Sequence, residues 1–150
     1  MINFSRPDAE KIDSRLEKML HQAEEHMQEG AYRKAAEIAL EATREFSQSP
    51  LPFHALSVVY LRLLQSDIQH LEMWEDLSDD EAYCDAAIGA AKAAIDLDEE
   101  FVPARNNLAM LYAVQGWWEE AVKQWETSLS IQPDQSQVRQ DLANARSRMS

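Results

Sequence analysis

The sequence is poor in the residues that usually build compact chemical sites. Of its 150 residues, only one is a cysteine, three are glycines and four are histidines. A lone cysteine forms no disulfide within the chain and fits a reducing compartment, so we expect Cys84 to be buried packing. The widely separated glycines form neither a phosphate-binding loop nor a Gly-x-Ser-x-Gly turn. The sequence therefore predicts no catalytic site.

The histidines are also poorly spaced for binding a metal ion from a helix. His21 and His26 lie five residues apart in sequence, which turns their side chains about 140° away from each other around a helix. Glu17 and His21 have suitable spacing, but no second pair joins them in the same segment. We predict neither a metal nor a cofactor.

Long apolar runs and positive charge are both scarce. No run approaches the roughly 18 apolar residues that a membrane span requires, and the first residues do not resemble a secretion signal. The chain has 14 basic and 27 acidic residues, for a net charge of -13. Nucleic acid and anionic membranes are poor partners for such a surface. We expect a cytoplasmic protein that does not insert into membranes.

The negative charge is concentrated between residues 66 and 104, where twelve acids accompany a single base, Lys92. One interpretation is a solvated face that keeps the protein soluble. The other is that these carboxylates steer a basic partner towards the protein and disfavour acidic ones.

The most regular pattern lies in residues 102–135, where two helical stripes are separated by Gly116 and stopped by Pro133. The first stripe consists of Leu108, Ala109 and Tyr112, and the second of Trp118, Ala121, Trp125 and Leu129. This order of large, small and aromatic residues resembles the 34-residue unit of the tetratricopeptide repeat (TPR) family.

The same order recurs in residues 16–49, and with an interruption in residues 50–101. In the middle copy the second stripe arrives about 18 residues later than the repeat period allows, which indicates an insertion over residues 65–82. The apolar residues of the insertion continue the helical phase, so we expect one long helix ending at a turn at residues 77 and 78. The middle hairpin should then project beyond its neighbours.

The two ends carry helix signals of their own. Ser5 and Pro7 suggest a first helix over about residues 7–29, and a single apolar stripe over residues 136–149 suggests a capping helix. The resemblance implies an all-α, right-handed superhelical solenoid of three TPR-like hairpins plus this C-terminal capping helix. We expect residues 1–150 to form a single domain.

In TPR domains, the first helices of successive repeats line a concave groove that holds partner segments. Carried over to this chain, the groove comprises Leu20, Glu24, Met27, Leu51, His54, Val58, Leu61, Arg62, Asn106, Met110, Ala113 and Val114. This mostly apolar surface suits an amphipathic helix or an extended apolar segment. The alternative is that some of these side chains only pack on the neighbouring repeat.

A well-known TPR variant grips the acidic C-termini of heat-shock chaperones with lysine, arginine and asparagine side chains. The matching positions here are Leu20, Glu24, Ala55, Pro103 and Asn107. This carboxylate clamp is absent, so the resemblance does not imply binding of chaperone tails.

A second candidate interface is the tip of the middle hairpin, which we define as Leu71, Met73, Trp74 and Leu77. These apolar residues lie among carboxylates, a pattern typical of interfaces. The alternative is that they pack within the hairpin or against the adjacent repeat. The favoured function is a non-catalytic adaptor, scaffold or assembly factor that binds a protein or peptide of basic or amphipathic character. The alternative is a structural protein that forms homo-oligomers through its repeats.

Overall fold

The computed structural model describes residues 13–66 and 78–150, which contain seven α-helices and no strand. In chain order they are α1 (Ser14–Gln28), α2 (Tyr32–Glu45), α3 (Pro50–Gln65), α4 (Ser78–Leu97), α5 (Val102–Val114), α6 (Trp118–Ile131) and α7 (Ser136–Met149). The predicted all-helical fold is confirmed.

The helices pair into three successive hairpins, α1 with α2, α3 with α4, and α5 with α6, while α7 packs on α6. The first helices of the hairpins also contact each other, α1 with α3 and α3 with α5. Contacts of this kind between like positions in consecutive units stack the hairpins into a solenoid. The first helices thereby form one continuous layer of the molecule.

Alanines at helical spacing allow the helices to pack closely. Three on α2 and three on α4 have no exposed surface: Ala35, Ala39, Ala42, Ala87, Ala91 and Ala94. A methyl side chain costs little conformational entropy in a helix and lets a neighbouring helix approach closely. Larger side chains fill the rest of the core. Leu108, Leu111 and Trp125 are examples, and they are almost completely buried.

Two buried serines join helices through hydrogen bonds, and Ser57 does so between two hairpins. The Ser57 hydroxyl on α3 donates to the carbonyl oxygen of Ala87 on α4 at 2.9 Å and accepts from the Asn107 amide on α5 at 2.6 Å. The Ser128 hydroxyl on α6 donates to Oδ1 of Asn106 at 2.5 Å. A buried hydroxyl without a partner is destabilising, so these bonds fix the positions of the two asparagines.

Two predicted helices have different boundaries in the structure. The first helix begins at Ser14, because Asp13 has an extended ψ of 132° and its carboxylate accepts from the backbone N–H of Arg15 at 2.8 Å. Asp13 is therefore the N-cap of α1, and the helix expected from about residue 7 does not pass through it. Helical phase alone does not show whether a stripe belongs to one helix or to two.

The helix expected to run through the insertion ends at Gln65, since Ser66 has extended backbone angles of -81° and 142°. Serine competes with helical hydrogen bonding through its hydroxyl and favours helix ends. Residues 67–77, and with them the predicted tip, lie outside the described residues. Helix α4 begins at Ser78, beside the predicted turn, and has 20 residues where α2 and α6 have 14. The projection of the middle hairpin stays a prediction.

The side chain of His54, on α3, packs against Phe101 at the start of α5. Its ring meets that of Phe101 edge to face, with centroids 5.4 Å apart and an angle of 80° between the planes. Its Nδ1 atom is buried and makes no hydrogen bond with the described residues. Burial disfavours the charged imidazolium and lowers the pKa of His54 to about 4. The ring is therefore neutral at pH 7.

Replacing Gly116 by alanine should destabilise the protein by about 1 kcal/mol, because Gly116 ends α5 with a φ of 82° that a Cβ disfavours. Gly89→Ala is the matched control: a Cβ there meets no atom within 4 Å, and alanine favours the helical conformation of α4 by about 0.5 to 1 kcal/mol. In urea unfolding, the midpoint should thus fall for Gly116→Ala and rise for Gly89→Ala. Equal shifts would contradict the left-handed turn at Gly116.

His54 should make stability depend on pH. Its folded pKa, about 4, lies below the ordinary 6.5, so the neutral ring stabilises the fold above pH 6.5. That contribution, about 2 to 3 kcal/mol, is lost as the pH falls from 6.5 towards 4. In urea unfolding at a series of pH values, the native chain should therefore lose more stability than His54→Leu over this range. Parallel curves for the two proteins would show that His54 is already solvated.

Candidate protein-binding groove

The structure places the predicted groove residues at three levels of exposure. Glu24, Arg62 and Val114 are exposed, whereas Met27 and Leu61 are buried. The remaining members are partly buried: Leu20, Leu51, His54, Val58, Asn106, Met110 and Ala113. The concave layer of first helices thus offers a partner only part of the set expected from the sequence.

Met27 and Leu61 belong to the core, which corrects their assignment to the groove. Each is only 7% exposed. Met27 packs with Ala23 and Ala35 between α1 and α2, and Val59 of α3 closes the same cluster. Leu61 packs in a different cluster, with residues of α4 and α5. Neighbouring helices thus cover both side chains, so they are unavailable to a partner.

Two polar residues of the groove contribute to the fold. Asn106 accepts from Ser128 and donates through its amide to Oε1 of Gln135 at 2.9 Å. His54 is held neutral against Phe101. Sequence reasoning missed these roles, because the contacting residues are distant in sequence. The exposed members left for a partner are Glu24, Arg62 and Val114.

An open cleft of about 260 Å³ lies at the C-terminal end of the solenoid, between α5, α6 and α7. Its apolar walls are formed by Met110, Ala113, Val114, Trp118, Trp125 and Ala145. We define these six residues, together with the polar residues below, as the C-terminal cleft. Met110, Ala113 and Val114 were predicted groove residues, whereas the contributions of α6 and α7 were not. The capping helix stands where the first helix of a fourth repeat would stand, and this position was the signal available for finding them.

The polar side of the C-terminal cleft comes from α7, which contributes Asp141, Asn144 and Arg148. Asp141 accepts from the Gln137 amide at 3.0 Å. The Arg148 guanidinium lies over the ring of Trp118, 5.1 Å from its centroid, a distance typical of a cation–π contact. Among the described residues, no carboxylate pairs with Arg148.

Three large apolar side chains are exposed around the same contact. Val114 is 49% exposed and lines the cleft. Trp117 and Met149 are 47% and 46% exposed and are the sequence neighbours of Trp118 and Arg148. Trp117 also approaches the ring of Tyr112, with a centroid distance of 5.8 Å. Apolar side chains exposed around a cleft are typical of interaction surfaces.

Other kinds of site are not formed by the residues that the structure describes. No group of three potential metal ligands comes together in the described ranges. Of the helices described, none combines the length and apolar character needed to cross a membrane. Burial raises the pKa of the Cys84 thiol, which disfavours the reactive thiolate. Cys84 is buried, as expected from the sequence.

No protein-family model and no curated protein sequence matches this chain. Solved structures do match. The first TPR of Spaghetti (RPAP3), bound to an HSP90 peptide, is 15% identical with a TM-score of 0.74, over 92% of this chain and 96% of that one. The translocator chaperone SycD of Yersinia enterocolitica type III secretion is 14% identical with a TM-score of 0.74, over 94% and 98% of the two chains.

A thermophilic TPR protein from Thermus thermophilus is 19% identical, with a TM-score of 0.75, over 90% of this chain and 66% of that one. Identities this low carry information about the fold and not about the ligand. The arrangement of the helices agrees with these structures over 92% and 90% of the chain. The protein has the tetratricopeptide-repeat fold.

Proposed function

We propose that this protein is a non-catalytic interaction module that holds a protein or peptide segment in the groove, with the C-terminal cleft as the main contact. The carrying observation is that this cleft is open and apolar, with Val114 half exposed at its wall. A folded chain exposes such side chains together chiefly where another surface covers them. The adaptor, scaffold or assembly role predicted from the sequence follows from such binding.

The structural relatives support a binding role without naming the partner. The TPR of Spaghetti was solved with an HSP90 peptide, and SycD is a secretion chaperone. The clamp positions of this chain do not suit an acidic C-terminus, since Glu24 is an exposed acid and Asn107 donates its amide to Ser57. The binding we propose therefore does not use a carboxylate clamp at these positions.

The proposed mechanism is burial of the partner's apolar side chains against the cleft. Each apolar Å² removed from water contributes about 25 cal/mol, so one large side chain supplies about 2 to 3 kcal/mol. The flexible Met110 side chain adapts to different shapes. Carboxylates of residues 66–104, of which Asp85, Asp96, Glu99 and Glu100 are exposed, favour basic residues elsewhere on the partner and repel acidic competitors.

Val114→Asp should reduce capture of the partner from a lysate of the source organism by about tenfold or more, because the new carboxylate would be buried against apolar atoms. Leu40→Asp is the matched control, since Leu40 is 36% exposed on α2, a helix outside the layer of first helices. Both positions are exposed enough that circular dichroism should stay helical. Mass spectrometry of the captured protein measures how much each variant binds relative to the native chain.

Equal capture by native chain, Val114→Asp and Leu40→Asp would refute binding at the C-terminal cleft. Self-assembly is the competing function, favoured by the exposed Trp117 and Met149 at the end of the solenoid. It predicts a mass on a sizing column that rises with protein concentration and falls for Val114→Asp. A constant monomer mass together with lost capture supports the interaction module.

A further inference from the structure

Arg148 differs from the other arginines of α7 in forming no hydrogen bond or ion pair with a residue that the structure describes. Arg146 forms an ion pair with Glu126 at 2.5 Å, and Arg139 donates to the carbonyl oxygen of Pro133. For Arg148, the contact shown within the described residues is with the face of Trp118. A cation–π contact uses the charge of the guanidinium and leaves its N–H groups able to form hydrogen bonds. These donors are placed at the rim of an apolar cleft.

Trp118 also reduces the entropic cost of using this arginine. A free arginine side chain loses up to about 2 kcal/mol of rotamer entropy when a ligand fixes it. The cation–π contact already restricts the Arg148 side chain, so part of that loss has occurred before a partner arrives. A guanidinium held in this way can bind a carboxylate through two parallel hydrogen bonds.

Helix α7 has a net positive charge, unlike the chain as a whole. Helix α7 carries three arginines and one aspartate, whereas the whole chain has a net charge of -13. The acidic stretch of residues 66–104 ends at the start of α5, and Val114, beside the cleft, ends the same helix. Thirteen helical residues separate these points by about 20 Å. The cleft therefore lies at the opposite end of α5 from the acidic stretch, and Arg148 is the cationic group in its lining.

The volume of the cleft limits what enters it. Sites for drug-sized molecules usually measure about 300 to 1,000 Å³, whereas this cleft has about 260 Å³ and is open on one side. A single large aliphatic or aromatic side chain is a better match than a whole cofactor. The remainder of the occupant then lies outside, over α7 and its arginine.

We propose that the C-terminal cleft recognises a partner segment in which a large apolar residue stands next to an aspartate or glutamate. The apolar side chain enters between Met110 and Val114, and the neighbouring carboxylate accepts hydrogen bonds from Arg148. Asp141, seven residues earlier on α7, lies about 10 Å away along the helix and repels the carboxylate from the other end. Residue order in the segment thus sets its direction along the groove. This inference rests on the proposed function.

The test uses random dodecapeptides displayed on phage, selected in parallel on the native chain, on Arg148→Gln and on Val114→Asp. The native chain should enrich peptides with an aromatic or large aliphatic residue adjacent to Asp or Glu. Arg148→Gln should keep the apolar preference and lose the acidic one, and Val114→Asp should lose both. Circular dichroism checks that all three proteins remain helical.

The most enriched peptide is then synthesised with its acid intact and with that acid changed to the amide. On the native chain, the amide form should bind about three- to tenfold more weakly, as expected for an exposed, preorganised ion pair. On Arg148→Gln the two peptides should bind equally, and Arg148→Lys should recover part of the difference. Raising the salt concentration should reduce the preference.

The outcomes separate this inference from the proposed function. Peptides that bind the native chain and are lost with Val114→Asp, but show no acid preference, overturn the role of Arg148 and retain the cleft. Selection of basic peptides, or an acid preference unchanged in Arg148→Gln, also overturns it. Peptides that bind all three proteins equally overturn the cleft itself. Failure of the native chain to select any peptide overturns both proposals.

Discussion

Close helix packing through alanine is the constraint on which the rest of the structure depends. Ala39 and Ala91 are fully buried on the second helices of their hairpins, where a larger side chain would push the neighbouring helix away. Because the helices approach so closely, each hairpin is thin and buries little apolar surface alone. The hairpins are stable by stacking on one another, which aligns α1, α3 and α5 in a common layer.

Stacking has a second consequence for the polar residues. Ser57 and Ser128 have no exposed surface, so their hydroxyls need hydrogen-bond partners from other helices. Asn107 and Asn106, both on α5, supply these partners and lose their freedom to bind ligands. Packing between helices thus removes these two amides from the surface that a partner could contact.

The binding surface develops where this stacking ends. Helix α7 packs on α6 as a capping helix, yet leaves an open cleft beside α5. Trp118 contributes to both the apolar and the cationic part of the cleft, since it lines the cleft and its ring contacts Arg148. A capping helix must present a polar outer face to water, and in this chain that face brings arginines to the rim of an apolar cleft in a strongly acidic protein.

The sequence by itself determined the helical hairpins. The spacing of Leu108, Tyr112 and Trp125, with Gly116 between them, is a local property of the chain and specified both helices and their turn. Much of the candidate site was predictable for the same reason, since Met110 and Val114 follow from their positions in the repeat.

Tertiary structure decided which groove residues remain accessible and which groups meet. Met27 and Leu61 share the groove positions of their repeats, but the stacking of neighbouring helices buries them. Arg148 and Trp118 lie 30 residues apart, and no periodic pattern links them. Sequence periodicity specifies the face of a helix on which a side chain lies, whereas exposure and long-range contacts depend on how closely the next helix packs.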